Sequence, residues 1–96
     1  MLEGITHKSF EDVVGDTVEL SSEEVSFTAN VESVTLLRQD PNQERQPFSV
    51  VLQAHDGSNH GQRTYQLSHP DLGVVSLFLV PIGPDEVGMC YEIVFN

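Results

Sequence analysis

Hydrophobic and polar residues alternate with a period of two through much of the last third of the chain. Arg63, Tyr65, Leu67 and His69 share one face, against Thr64, Gln66 and Ser68 on the other, the pattern of a half-buried strand. His69, Pro70, Asp71, Leu72 and Gly73 then predict a turn, because proline presets one turn angle and glycine accepts backbone angles that other residues resist. From Val74 to Ile82 apolar residues fall on both faces: Val74, Phe78, Val80 and Ile82 on one, Val75, Leu77 and Leu79 on the other. A strand of that composition is expected to be covered on both sides. Residues 83–88 read as a longer turn. After it Met89, Tyr91, Ile93 and Phe95 alternate with Cys90, Glu92 and Asn96. The three segments predict an antiparallel meander.

Upstream, residues 6–15 predict a short helix. Thr6 is placed to cap it, Ile5 and Phe10 have the spacing of a hydrophobic staple, and Gly15 is a natural stop. Phe10, Val13 and Val14 form its apolar face, which would either cover the second face of the Val74–Ile82 strand or plug one end of a barrel. Val18 and Leu20 point inward from a short strand over residues 17–20. Val25, Phe27, Ala29 and Val31 share a face, but beyond them Val34 and Leu36 are the inward residues. The phase slips by one around Glu32 and Ser33, which predicts a β-bulge there. Residues 39–47 form a polar, proline-bracketed loop, the most mobile by composition. Phe48, Val50, Leu52 and Ala54 mark the next strand, and the polar run 56–62 is expected to close a hairpin onto the strand that starts near Arg63.

One short helix and six strands at close spacing predict an all-β fold, a small antiparallel barrel or sandwich. The 96 residues form one domain, 1–96, since the chain is too short for two cores. No run is long enough for a transmembrane helix, and the start lacks the basic and apolar regions of a signal peptide, so a cytoplasmic location is expected. The single cysteine forms no internal disulfide.

Charge changes the list of partners. The net charge is −11, and it is unevenly spread: residues 1–37 carry eight acids against Lys8, residues 38–63 three acids against Arg38, Arg45 and Arg63, and residues 64–96 four acids with no Lys or Arg. Nucleic acid and anionic membrane are excluded as expected partners, because binding phosphate requires a basic footprint. The three arginines bracket two polar loops. If those loops lie at one end of the barrel, Arg38, Arg45 and Arg63 form the surface best suited to a protein partner, arginine being favoured at interface hot spots. An exposed sheet edge recruiting a second copy is the other expected contact.

Candidate chemistry is sparse. His55, Asp56 and His60 have the residue types of a divalent-metal site but match no zinc spacing, so no metal or other cofactor is expected. His69 ends the inward row begun by Tyr65. In one reading it satisfies turn carbonyls; in the other it is an acid or base at a barrel mouth, with Asp71 or Asp85 nearby. Cys90 has no basic neighbour in the chain to lower its pKa and reads as inert. The glycine-rich phosphate loop, nucleophile elbow and metalloprotease helix are all absent, which leaves an enzyme unsupported.

A resemblance adds to these readings. Thr6-His7, Phe10 and Val14-Gly15, then Pro47-Phe48-Ser49, then Tyr65-Gln66-Leu67-Ser68-His69-Pro70 with Leu72-Gly73, then residues 77–85 (LFLVPIGPD), then the ending from Tyr91 to Asn96 together resemble a bacterial family of small single domains catalogued as a domain of unknown function. The likeness spans nearly the whole chain. It implies genes placed near phage-tail-collar-like proteins, and hence an accessory or structural role in a phage-derived assembly; it implies no catalytic residue. The expected function is a non-enzymatic structural or protein-interaction module. Its rival is a small-ligand-binding barrel, or an enzyme, with its site near His69 and Tyr65.

Overall fold

A computed structural model describes residues 5–38, 41–42, 46–55 and 59–95. Its elements are α1 (His7–Glu11), β1 (Thr17–Ser21), β2 (Ser26–Leu36), β3 (Phe48–Ala54), β4 (Arg63–His69), β5 (Gly73–Pro84) and β6 (Met89–Phe95). The six strands form a closed antiparallel barrel in the order β1-β2-β3-β6-β5-β4. Two meanders, β1-β2-β3 and β4-β5-β6, are therefore joined along two seams, β3 to β6 and β1 to β4. The order maps onto itself when each strand of the first meander is exchanged for its counterpart in the second, although no sequence repeat accompanies this two-fold pattern.

Two expectations change with this topology. The polar run after β3 does not close a hairpin, since β3 pairs with β2 and β6 while β4 pairs with β1 and β5. The described part of the run, residues 59–62, lies at the barrel end, where the Tyr65 and Tyr91 hydroxyls meet the His60 backbone. Every strand also has a neighbour on both sides, so the ring offers no sheet edge of the kind expected to recruit a second copy.

The interior is filled by the alternating residues. Val18, Leu20, Ala29, Val50, Leu52, Leu67, Leu79 and Tyr91 are fully buried, as are Phe10 and Phe48. In β2 the register against β3 shifts between Val31 and Ser33, leaving Glu32 as the extra residue. The bulge lies where the turn after α1 is stitched to the strand, Gly15 N–H donating to the Val31 carbonyl (2.8 Å) and Val31 N–H to the Asp16 carbonyl (3.0 Å). Past the bulge Val34 packs on the core, but Leu36, expected inside, is exposed at the strand's end. A second register shift falls between Pro81 and Gly83, so β5 continues through a bulge at Ile82 to Pro84, and the turn that follows is shorter than the sequence suggests.

The helix is shorter than expected, with turns over residues 12–15 in place of its second half. Thr6 is its N-cap, and the Ser9 hydroxyl accepts from the Thr6 backbone N–H at 3.2 Å. Gly15 ends the turn at φ +93°, an angle a side chain would disfavour. Phe10 projects into the barrel end between Phe48 and Phe95, ring centroids 6.3 and 5.4 Å away, and those two rings stack on each other at 4.4 Å. The helix is a plug. It covers no face of β5, and Val14, expected on its apolar side, is exposed.

Candidate functional site

β4 carries both interior polar candidates. Tyr65 and His69 are four residues apart along it, roughly 13 Å in an extended strand, and each belongs to the closure of a different barrel end. At the loop end the Tyr65 hydroxyl lies 2.9 Å from the carbonyl oxygens of both His60 and Gly61 and donates to them. The Tyr91 hydroxyl accepts from the His60 backbone N–H at 2.9 Å. The His60 ring stacks on Phe27 at 4.4 Å, and Phe27 meets Tyr65 and Tyr91 at 5.5 Å each. The crossover loop is thus pinned as a cap. Burial lifts the Tyr65 phenol above its ordinary value of 10.0, with Tyr91 adding to the rise and Arg63 opposing it, so the group is a protonated donor rather than a base.

His69 serves the other end. Its Nδ1 accepts the Asp71 backbone N–H at 3.0 Å, and its Nε2 lies 3.0 Å from Asp16 Oδ2. Because Nδ1 is an acceptor, the neutral ring carries its proton on Nε2 and donates it to the Asp16 carboxylate. The ring therefore ties the β4–β5 turn to the turn after α1. It engages a turn amide rather than the turn carbonyls expected from sequence, and Asp85 lies at the opposite end of the barrel. Gly73, at φ +74°, lets the chain reverse into β5.

The remaining candidates do not converge among the described residues. β3 separates the loop carrying Arg38 and Arg45 from the loop before Arg63, so the two leave from opposite barrel ends. Arg38 is exposed beyond β2, Arg45 lies outside the described residues, and Arg63 Nη1 pairs with Glu24 Oε2 at 3.1 Å. Arg38 and Arg63 form no common surface. His55 sits on the outer wall, Nε2 donating to Asn30 Oδ1 (2.9 Å) and Nδ1 facing the Thr28 hydroxyl (2.7 Å). Its ring is engaged there while the His60 ring lies on Phe27, and Asp56 lies outside the described residues.

Cys90 is half-buried next to the β5–β6 turn. That turn is held by Asp85, whose Oδ1 accepts the Val87 and Gly88 N–H groups (2.8 and 3.0 Å) and the Gln53 side-chain amide. The two backbone bonds hold the Asp85 carboxyl below its ordinary value of 3.8. Burial pushes the Cys90 thiol up from 9.0, and the Asp85 charge reinforces the rise. Alkylation of Cys90 by iodoacetamide at pH 8 is expected to run severalfold slower than that of free cysteine, since the thiolate is the nucleophile. Asp85→Asn should quicken it; an equal rate in both proteins would show that the carboxylate does not act on the thiol.

The feature the sequence reading missed is the outer face of β5. Val74, Phe78, Val80 and Ile82 were expected to be covered, yet Val74 is 59% exposed, Phe78 50% and Ile82 52%, with Val80 half-buried. Two positions on from the ladder pair Val80–Glu92 stand Phe78 and Val94, and Val94 is 51% exposed. Uncharged Thr64, Gln66 and Ser68 of β4 lie opposite Phe78, Ser76 and Val74. The signal was present in the chain: a single helix of one or two turns cannot both plug an end and cover a long strand.

Fold and site together define a closed antiparallel barrel, plugged by a helix, capped by a loop, and apolar along one outer strip. The chain belongs to the family described as domain of unknown function DUF6916, whose model matches residues 5–95. No curated protein and no solved structure matches it. No helix among the described residues is long and apolar enough to cross a membrane.

Proposed function

We propose that this chain is a non-enzymatic interaction module that docks through the outer face of β5 and β6, and that its setting is a phage-tail-like assembly. The carrying observation is the strip of Val74, Phe78, Ile82 and Val94, each at least half exposed on a barrel whose other apolar residues are largely inside. Exposed apolar strips rimmed by polar residues mark interaction sites more often than chance placement. The polar groups singled out as candidates for chemistry, Tyr65 and His69, are occupied in holding the loop cap and the β4–β5 turn. The assembly setting draws support from the gene neighbourhood that the family resemblance implies.

The test is affinity capture from source-cell lysate with wild type and a Phe78→Ser, Val94→Ser double variant. Both positions are exposed, so the variant should stay within about 0.5 kcal/mol of wild type per site and melt normally. Interface anchors dominate binding, so recovery of a specific partner should fall about tenfold or more. Undiminished recovery by the folded variant, or no specific partner for either protein, would refute the reading.

A further inference from the structure

The β5 strip continues into an open groove of about 620 Å³ beneath α1, with Val74 shared between the two. Ile5, Val13, Leu72 and Val75 supply its apolar lining, and the exposed carboxylates of Asp12 and Asp71 stand at its rim. The charged residues on and around this continuous surface are acidic. Glu92 lies opposite Val80, Asp85 and Glu86 follow Pro84, and residues 64–96 contain no Lys or Arg. Of the described bases, Arg63 is engaged by Glu24, Arg38 lies beyond β2, and Lys8 is on α1 but does not line the groove.

From this charge pattern we infer that the occupant is a protein segment whose apolar contact residues are flanked by arginine or lysine, with one basic side chain seated in the groove between Asp12 and Asp71. The inference rests on the reading of the β5 face as a docking surface. A second copy of the chain brings the same acidic rim and another −11 charges, and like-charge juxtaposition works against it. An anionic bilayer is repelled for the same reason. A basic side chain fits both halves of the groove, its aliphatic stem on Leu72 and Val75 and its head at a carboxylate. Arginine suits it best, because its planar fork donates two parallel hydrogen bonds to a carboxylate and is weakly hydrated.

The experiment uses the isotope-labelled full chain and a short synthetic peptide with a Leu-Val-Leu core flanked by arginines, beside versions flanked by glutamine and by glutamate. The arginine peptide should bind with amide shifts confined to α1, residues 71–82 and residues 92–94, and its affinity should fall as salt rises. The glutamine version should bind about tenfold more weakly, a difference of roughly 1.4 kcal/mol, and the glutamate version not measurably. Asp12→Asn with Asp71→Asn should lose several-fold in affinity for the arginine peptide alone, while Phe78→Ser weakens both the arginine and glutamine peptides. Equal binding of all three peptides at the β5 face would overturn the charge selection and leave the docking face standing. Shifts scattered over the whole acidic surface, or no shifts with any peptide, would overturn both.

Discussion

Truncating Phe10 to alanine is expected to remove about 3–5 kcal/mol of stability, the range for emptying a fully buried aromatic site. The side chain is wholly shielded from solvent, and what it fills is the space against the stacked rings of Phe48 and Phe95 at one barrel end. A helix this short has no stability of its own, so losing its anchor should release the helix and admit water to that end. A domain of this size has only about 5–15 kcal/mol in total. At roughly 4–8 °C per kcal/mol, the melting midpoint should drop by about 12–40 °C. Val14→Ala is the control, since Val14 is 46% exposed and should change stability by no more than about 0.5 kcal/mol. Thermal unfolding followed by circular dichroism separates the two. Equal, small losses would mean that the helix only rests on the barrel.

Tyr65→Phe is expected to cost about 1–3 kcal/mol, because it leaves the His60 and Gly61 carbonyls without their donor inside the cap. The damage should be local. Amide exchange over residues 59–62 should quicken while the end near His69 keeps its protection. The pH dependence follows from the raised phenol pKa. The contribution of Tyr65 is fully present below the ordinary value of 10.0 and is lost as pH rises through the higher folded value, where the buried phenol must ionise. Wild type should therefore lose stability in alkali that Tyr65→Phe does not lose. A variant whose cap exchanges as slowly as wild type would show that stacking on Phe27 and the Tyr91 hydrogen bond hold the loop without the Tyr65 hydroxyl.

The strands and their inward residues were legible because period-two alternation is imposed by the pleat and every strand has one filled and one outer face. The bulge at Glu32 was legible for the same reason: an apolar phase on a polar background slips visibly when a residue is inserted. The bulge at Ile82 was not, because Val80, Pro81 and Ile82 are all apolar and a slip among them leaves no mark. The crossover after β3 was misread as a hairpin, since polar loop residues satisfy either path and the deciding contacts, the ladders of β4 on β1 and of β3 on β6, join residues far apart in sequence. The opposite placement of Arg38 and Arg63 needed no coordinates: two loops at the two ends of one strand cannot share a barrel end. For the outer face of β5, apolar composition was taken as proof of internal cover, when the amount of chain available to provide it was the better guide.

The two seams of the barrel also govern how it can form. Within each meander, neighbouring strands meet across short sequence distances, but Leu20 pairs with Leu67 and Leu52 with Tyr91, partners separated by tens of residues. Each such closure spends chain entropy before its contacts return anything, and topologies dominated by them assemble over milliseconds to seconds rather than microseconds. Neither half has a stopping point of its own, because an unclosed three-stranded meander would present its whole apolar inner face to water. Closure therefore makes the barrel cooperative: both seams are present or the chain is unfolded. It leaves the outer strip of β5 as apolar surface that persists once assembly is complete.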